Sequence, residues 1–220
     1  MNRLALFDCD GTLVDSQHNI GAAMDACFVE AGLSPPPRAA TRRVVGLSLF
    51  EAMQVLHPDG DDARHEALTE GYKTCFQRLR AEGKVDEPLF DGIADALDVL
   101  EEDGWLLGVA TGKSDRGLAL VLEAHGLTKR FVTLQTADRH PSKPHPSMVE
   151  QAMAEAGASP ETTVVIGDTR YDIGMAHNAG VRAIGVAWGY HAPAELLEEG
   201  ADAVARHPSE LPALCRGEIA

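Results

Sequence analysis

The sequence predicts an α/β fold: a parallel sheet covered by helices on both faces, with an all-helical segment inserted after the first strand. Three observations carry this. Short apolar runs end repeatedly in polar turns, and stretches with apolar positions at three- and four-residue spacing separate those runs. One long stretch near the amino terminus has the helical spacing but no strand pattern. Alternation of buried runs with amphipathic helices implies parallel strands, which need helical crossovers and are buried on both sides.

In chain order, the first run is Leu4 to Phe7, followed by Asp-Cys-Asp-Gly-Thr. Leu106 to Ala110 precedes Thr-Gly-Lys-Ser, and Phe131 to Leu134 precedes a polar segment. Val164 to Ile166 precedes Gly-Asp-Thr, and Ala183 to Val186 precedes a loop with glycine, which makes five predicted strands. The helices between them are predicted over Ile93 to Glu102, Arg116 to His125, Ser147 to Ala156 and Ile173 to Ala179. From Ser16 to about Pro88 the helical spacing stands alone, over Ile20 to Ala31, Leu49 to Leu56 and Ala63 to Leu79. The expected organisation is therefore a core of residues 1–15 and 89–220 with a helical insertion over 16–88. In a Rossmann-like sheet of this kind, ligands bind beyond the carboxyl ends of the strands, where the turns after Phe7, Ala110 and Ile166 lie.

Composition narrows the function. With 34 acidic against 19 basic side chains, a formal net charge of -15, the overall field repels nucleic acid and anionic membranes. It also repels phosphorylated compounds, so a site for one needs a local cation or placed lysines and arginines. The four cysteines, Cys9, Cys27, Cys75 and Cys215, have neither zinc-site nor disulfide spacing. The apolar run at the amino terminus ends at Asp8, too soon for a signal peptide, and no stretch is long enough to span a bilayer. A reducing, cytoplasmic setting is expected.

Asp8 and Asp10 stand two residues apart at the end of a buried strand, before Gly11, which permits a sharp turn. Aspartate is poor in strands, so two at this place call for a chemical reason. Asp8-Cys9-Asp10-Gly11-Thr12-Leu13-Val14-Asp15-Ser16 resembles the first motif of the haloacid dehalogenase superfamily. Thr111 matches its second motif, Lys143 in Ser-Lys-Pro-His-Pro its third, and Gly167-Asp168-Thr169-Arg170-Tyr171-Asp172 its fourth, in the right order across the core.

The resemblance implies that Asp8 attacks phosphorus while Asp10 first protonates the leaving oxygen and then activates water, and that Thr111 and Lys143 hold the phosphoryl oxygens. Asp8, Asp10, Asp168 and Asp172 would share one cleft, where each like-charge pair at close range costs on the order of 4 kcal/mol. A cation is required, and hard oxygen donors favour magnesium. By resemblance its ligands are the Asp8 side chain, the Asp10 backbone carbonyl and Asp168, with Asp172 direct or through water. Asp10 also separates phosphate-ester chemistry from the dehalogenases and phosphonate-cleaving members, which lack the second aspartate.

Two positions depart from the common pattern. Gly112 stands where many relatives carry Asn, and Ser142 where many carry Gly. Gly112 remains a candidate phosphate-binding position through its backbone. Arg42 and Arg43, just before Val44-Val45-Gly46-Leu47 in the insertion, are candidates to present a guanidinium or backbone amides to substrate, with Arg43 and Gly46 the positions expected to bind. The insertion resembles the mobile cap of this superfamily, with hinges at Asp15 to Ile20 and Leu89 to Gly92, which favours a small phosphorylated metabolite as substrate. A phosphoglycolate-type phosphatase, monomeric or homodimeric, is the expected function. A β-phosphoglucomutase-like phosphotransferase shares the same reacting groups, and a domain that only binds a phosphorylated ligand is the alternative from another class.

Overall fold

The computed structural model describes residues 1–218. The chain begins with strand β1 (Asn2–Phe7) and then leaves the sheet for helices α1 (Gln17–Glu30), α2 (Arg38–Val44), α3 (Leu49–Leu56) and α4 (Asp62–Ala81). It returns through α5 (Ile93–Glu102), β2 (Trp105–Thr111), α6 (Asp115–Ala124), β3 (Phe131–Thr136), α7 (Ser147–Ala156) and β4 (Ala158–Gly167). The remainder is α8 (Arg170–Asn178), β5 (Arg182–Val186), α9 (Pro193–Glu199), β6 (Ala203–Ala205) and α10 (Leu211–Cys215). The sheet is parallel throughout, in the order β3-β2-β1-β4-β5-β6.

The alternation along β1 divides the core. Ala5 and Phe7 pack with Ile93, Leu97 and Leu100 of α5 and with Leu118, Val121 and Leu122 of α6. Leu4 and Leu6 face the opposite layer, with Met148, Val149 and Ala152 of α7 and Ile173 and Ala176 of α8. Successive strand residues point to opposite faces, so a central strand buried on both sides must be apolar at every position. Burying one such Leu or Phe side chain is worth roughly 2 kcal/mol.

Helices α1 to α4 carry their own apolar cluster. Ala23, Met24, Cys27 and Phe28 of α1, at helical spacing, meet Met53 of α3 and Leu68 and Cys75 of α4. The two segments joining this helical group to the sheet run side by side. The Asp15 amide donates to the Pro88 carbonyl at 2.9 Å and the Phe90 amide to the Leu13 carbonyl at 3.0 Å.

The structure adds elements to the sequence reading. A sixth strand, β6, completes the sheet edge, and β4 starts at Ala158 with an irregularity in its pairing to β1. Helices α2, α9 and α10 also lie outside the predicted set. Helix α8 starts at Arg170 rather than Ile173, because Thr169 and Asp172 form a reciprocal capping box ahead of the first apolar residue. Ser114 likewise starts α6 at Asp115 by accepting from the Gly117 amide at 3.1 Å.

Candidate active site

The strand order reverses between β1 and β4, since β2 and β3 extend the sheet to one side and β5 and β6 to the other. The carboxyl ends of β1 and β4 therefore open a crevice, the place where such sheets bind ligands. Asp8 follows β1 and Asp168 follows β4 at this point. The Asp8 amide still donates to the Ile166 carbonyl at 2.9 Å, so the sheet ladder itself fixes its position.

Beyond Asp8 the chain turns sharply. Gly11 has φ +90, and a β-carbon there would overlap the Asp168 carboxylate, so only glycine fits. The Leu13 and Val14 amides both donate to the Cys9 carbonyl, at 2.9 and 3.0 Å, closing a tight loop around Asp10. The Thr12 hydroxyl donates to Asp168 Oδ1 at 2.9 Å and the Tyr190 amide to Oδ2 at 2.8 Å. Asp172 is held by α8, where its Oδ2 accepts from the Thr169 amide at 3.0 Å and the Thr169 hydroxyl at 2.6 Å.

Lys143 enters this cluster completely buried. Its ammonium donates to Asp8 Oδ1 at 2.8 Å and to Asp172 Oδ1 at 2.6 Å. Asp8, Asp168 and Asp172 each offer a carboxylate oxygen within 4.8 Å of the others. Three buried carboxylates against one ammonium leave two negative charges in excess. The consequence is visible in their acidity. Burial pushes the Asp8 carboxyl up to about 7, with Asp172 and Asp10 adding to the rise and Lys143 opposing it. Burial also drives Asp168 well above the ordinary carboxylate range, and Asp8 and Asp172 add to it. For Lys143 burial works against the charge, but Asp172 and Asp8 outweigh it and hold the ammonium protonated.

Asp8 Oδ2 is buried and has no hydrogen-bond partner among the described residues. Three clustered carboxylates to one ammonium and an all-oxygen donor set together fit a divalent hard cation. Asp10 is handled separately. Its Oδ1 accepts from Lys113 Nζ at 2.6 Å and from the Ser16 hydroxyl. Lys113 Nζ also donates to Glu87 Oε1 at 2.9 Å, and Arg80 of α4 bonds Glu87 Oε2 at 2.5 Å.

Asp8, Asp10, Thr111, Gly112 and Gly46 line one cavity of about 540 Å³ between the sheet edge and α1 to α4. Lys143, Asp168 and Asp172 lie behind its floor, through contacts to Asp8 and to one another. The structure does not bring Arg43 to this cavity. Its guanidinium bonds Glu195 of α9 at 2.8 Å on the exterior, and its carbonyl accepts from the Tyr171 hydroxyl at 3.2 Å. Sequence reasoning passed over Lys113, Glu87, Ser16 and Thr12 as members of the site. Lys113, Ser16 and Thr12 stand inside or beside the quoted motifs, whereas Glu87 has no local signal at all.

No helix among the described residues is long and apolar enough to cross a membrane. All four cysteines are free and buried. Residues 5–186 match the family model of the haloacid dehalogenase-like hydrolases. A Dickeya dadantii protein named probable phosphatase IndB is 38% identical over 202 residues, which cover 89% of this chain and 86% of that protein. A phosphoglycolate phosphatase of Xylella fastidiosa is 33% identical over 189 residues, covering 86% of this chain and 81% of its own. The solved structure of a predicted phosphatase from Clostridium acetobutylicum shares the fold, with a TM-score of 0.87 over 99% of both chains at 24% identity. The chain thus belongs to the haloacid dehalogenase-like hydrolases, as an enzyme of their phosphatase class.

Proposed function

We propose that the chain hydrolyses a small phosphate monoester through a phosphoryl group carried on Asp8, with magnesium as the cofactor. The observation that carries this is the state of Asp8. One of its oxygens is fixed by Lys143, while the other is buried without a partner among the described residues and belongs to a residue lining the cavity. In this reading the free oxygen is the nucleophile, and it attacks phosphorus as the ester bond breaks.

Asp10 gives a proton to the leaving oxygen and later takes one from the water that cleaves the aspartyl phosphate, so a single group serves as acid and then as base. Covalent transfer to Asp8 replaces one difficult displacement with two easier ones. Lys143 and Thr111 offset and orient the phosphoryl oxygens. The Asp8 and Asp168 side chains and the Asp10 backbone carbonyl would hold the magnesium, with Asp172 beside them. The cation would supply charge neutralisation to both carboxylates and phosphate, lowering the cost of bringing an anion to this acidic floor.

Helices α1 to α4 act as the cap over the cleft, with the paired segments around Asp15 and Leu89 as its hinges. The names of the relatives, phosphatase and phosphoglycolate phosphatase, agree with a small phosphorylated substrate. Phosphate release from a panel of esters, with and without magnesium, tests the reading. Magnesium-dependent release that disappears in Asp8→Asn is the expected result. Release that survives Asp8→Asn would refute it, and transfer of phosphate between positions of a sugar without release would assign a mutase instead.

A further inference from the structure

We infer that the substrate is a phosphate monoester whose leaving group is an uncharged, ring-bearing alcohol of about nucleoside size, and not a small carboxylate such as glycolate. This rests on the phosphatase reading above and is argued from the cavity around the Asp8 oxygen.

The first observation is size. A cavity of about 540 Å³ lies within the range of pockets that enclose a whole ring-bearing ligand. A glycolate group attached to phosphate would fill a corner of it and leave the rest to water against apolar walls. The second is the character of those walls. Phe50, Tyr72 and Phe76 from α3 and α4 line the cavity with Met24, Val45 and Leu47. The rings of Tyr72 and Phe76 stand 5.9 Å apart, tilted at 42°. Aromatic walls of this kind favour flat, apolar ligand faces.

The third observation is charge. A carboxylate on the leaving group needs a cation not already committed. Lys113 is shared by Asp10 and Glu87, Arg80 is bound by Glu87, and Lys73 by Glu70 at 2.7 Å. The other cation on the lining, Arg116, has no ion-pair partner among the described residues, but it is exposed, where solvent and salt screen its attraction for an anion. A second negative group in this cavity would therefore find only cations that are already paired or, at Arg116, screened by solvent.

The fourth is polarity of a milder kind. The Thr41 and Thr69 hydroxyls both belong to lining residues, and each is buried without a hydrogen-bond partner among the described residues. A buried hydroxyl left unpaired costs about 1–3 kcal/mol. Hydroxyl, carbonyl or ring-nitrogen groups on a bound leaving group would relieve that cost once the side chains turn to meet them, which a purely hydrocarbon group would not.

The test compares kcat/KM of the full chain, with magnesium, on nucleoside 5′-monophosphates, phosphoglycolate and acetyl phosphate, the last as a small general phosphoryl donor. Nucleoside monophosphates should exceed phosphoglycolate by about tenfold or more, the effect of one good contact set. Thr69→Val and Phe76→Ala should each lower the ratio of nucleoside monophosphate to phosphoglycolate turnover severalfold. Phosphoglycolate equal to or better than the nucleotides would overturn the inference while leaving the phosphatase reading in place. A ratio unmoved in both variants would also overturn it. No magnesium-dependent release from any donor, acetyl phosphate included, would overturn the phosphatase reading and this inference with it.

Discussion

Lys113 Nζ lies 2.6 Å from Asp10 Oδ1 and joins it to the helical group through Glu87 and Arg80. Charges of alternating sign thus run from α4, through the returning segment, to the residue proposed as acid and base. Lys113 is then a positioning residue for Asp10, acting on chemistry more than on binding. Lys113→Met should lower kcat by about tenfold to a hundredfold with a smaller change in KM, and Lys113→Arg should recover part of the loss. Steady-state kinetics on any accepted ester measures the split. Equal loss in kcat/KM through KM alone would make Lys113 a substrate contact instead.

Lys143 is the one cation among three buried carboxylates, so removing it leaves charge uncompensated in the interior. Lys143→Met should abolish turnover and destabilise the magnesium-free protein by about 3 kcal/mol at pH 8. At pH 6 the penalty should be smaller, because Asp8, which burial raises even against Lys143, takes up a proton more readily once Lys143 is gone. Urea unfolding of both proteins at the two pH values reads the difference.

The loop after α2 rests on two core positions. The Ser48 amide donates to Ser142 Oγ at 2.7 Å, and a β-carbon at Gly112 would come within 2.6 Å of the Leu47 carbonyl oxygen. These are the two positions that depart from the resembled motifs, and both touch the loop that joins α2 to α3. Ser142→Gly should raise KM about fivefold, the worth of one net hydrogen bond. Gly112→Asn should raise it further by displacing the loop backbone, while leaving the fold intact by circular dichroism.

Magnesium should stabilise the protein in a pH-dependent way. In its metal-free form Asp8 has a pKa raised above the unfolded value of 3.8 to about 7. The folded state then binds more protons than the unfolded one between these values, and stability falls as pH rises through that window. Added magnesium competes with those protons, so its effect on Tm should be small near pH 5 and grow as pH rises through about 7, with Asp168, also raised by burial, extending the rise. Thermal unfolding with and without magnesium across this range checks the sign, and Asp8→Asn should reduce the dependence, leaving the part that Asp168 carries.

The strands that carry the site were legible because a central parallel strand reads as an unbroken apolar run, as in Leu4 to Phe7 and Val164 to Ile166. Asp8 and Asp168 stand out at the ends of those runs for the same reason. Strand β6 was not legible, since Ala203–Ala205 is a three-residue edge with no run to detect. Helix α2 was hidden by its composition, with Arg38, Thr41, Arg42 and Arg43 among seven residues. Glu87 escaped because its pairing with Lys113 spans 26 residues and depends on where the chain re-enters the core. Arg43 drew notice by its neighbours in sequence, but Glu195, far along the chain, takes its charge on the exterior.

The account rests on Asp8 carrying the phosphoryl group, and the most direct measurement is to trap that species. The Asp10→Asn variant, mixed with magnesium and acetyl phosphate, whose acetate leaves without an acid's help, is quenched in acid, digested with trypsin and mapped by mass spectrometry. A phosphoryl group on the peptide from Leu4 to Arg38, localised to Asp8 and lost in Asp8→Asn, is the expected result. Ester cleavage by the parent with Asp8 never phosphorylated, or unchanged cleavage by Asp8→Asn, would contradict it.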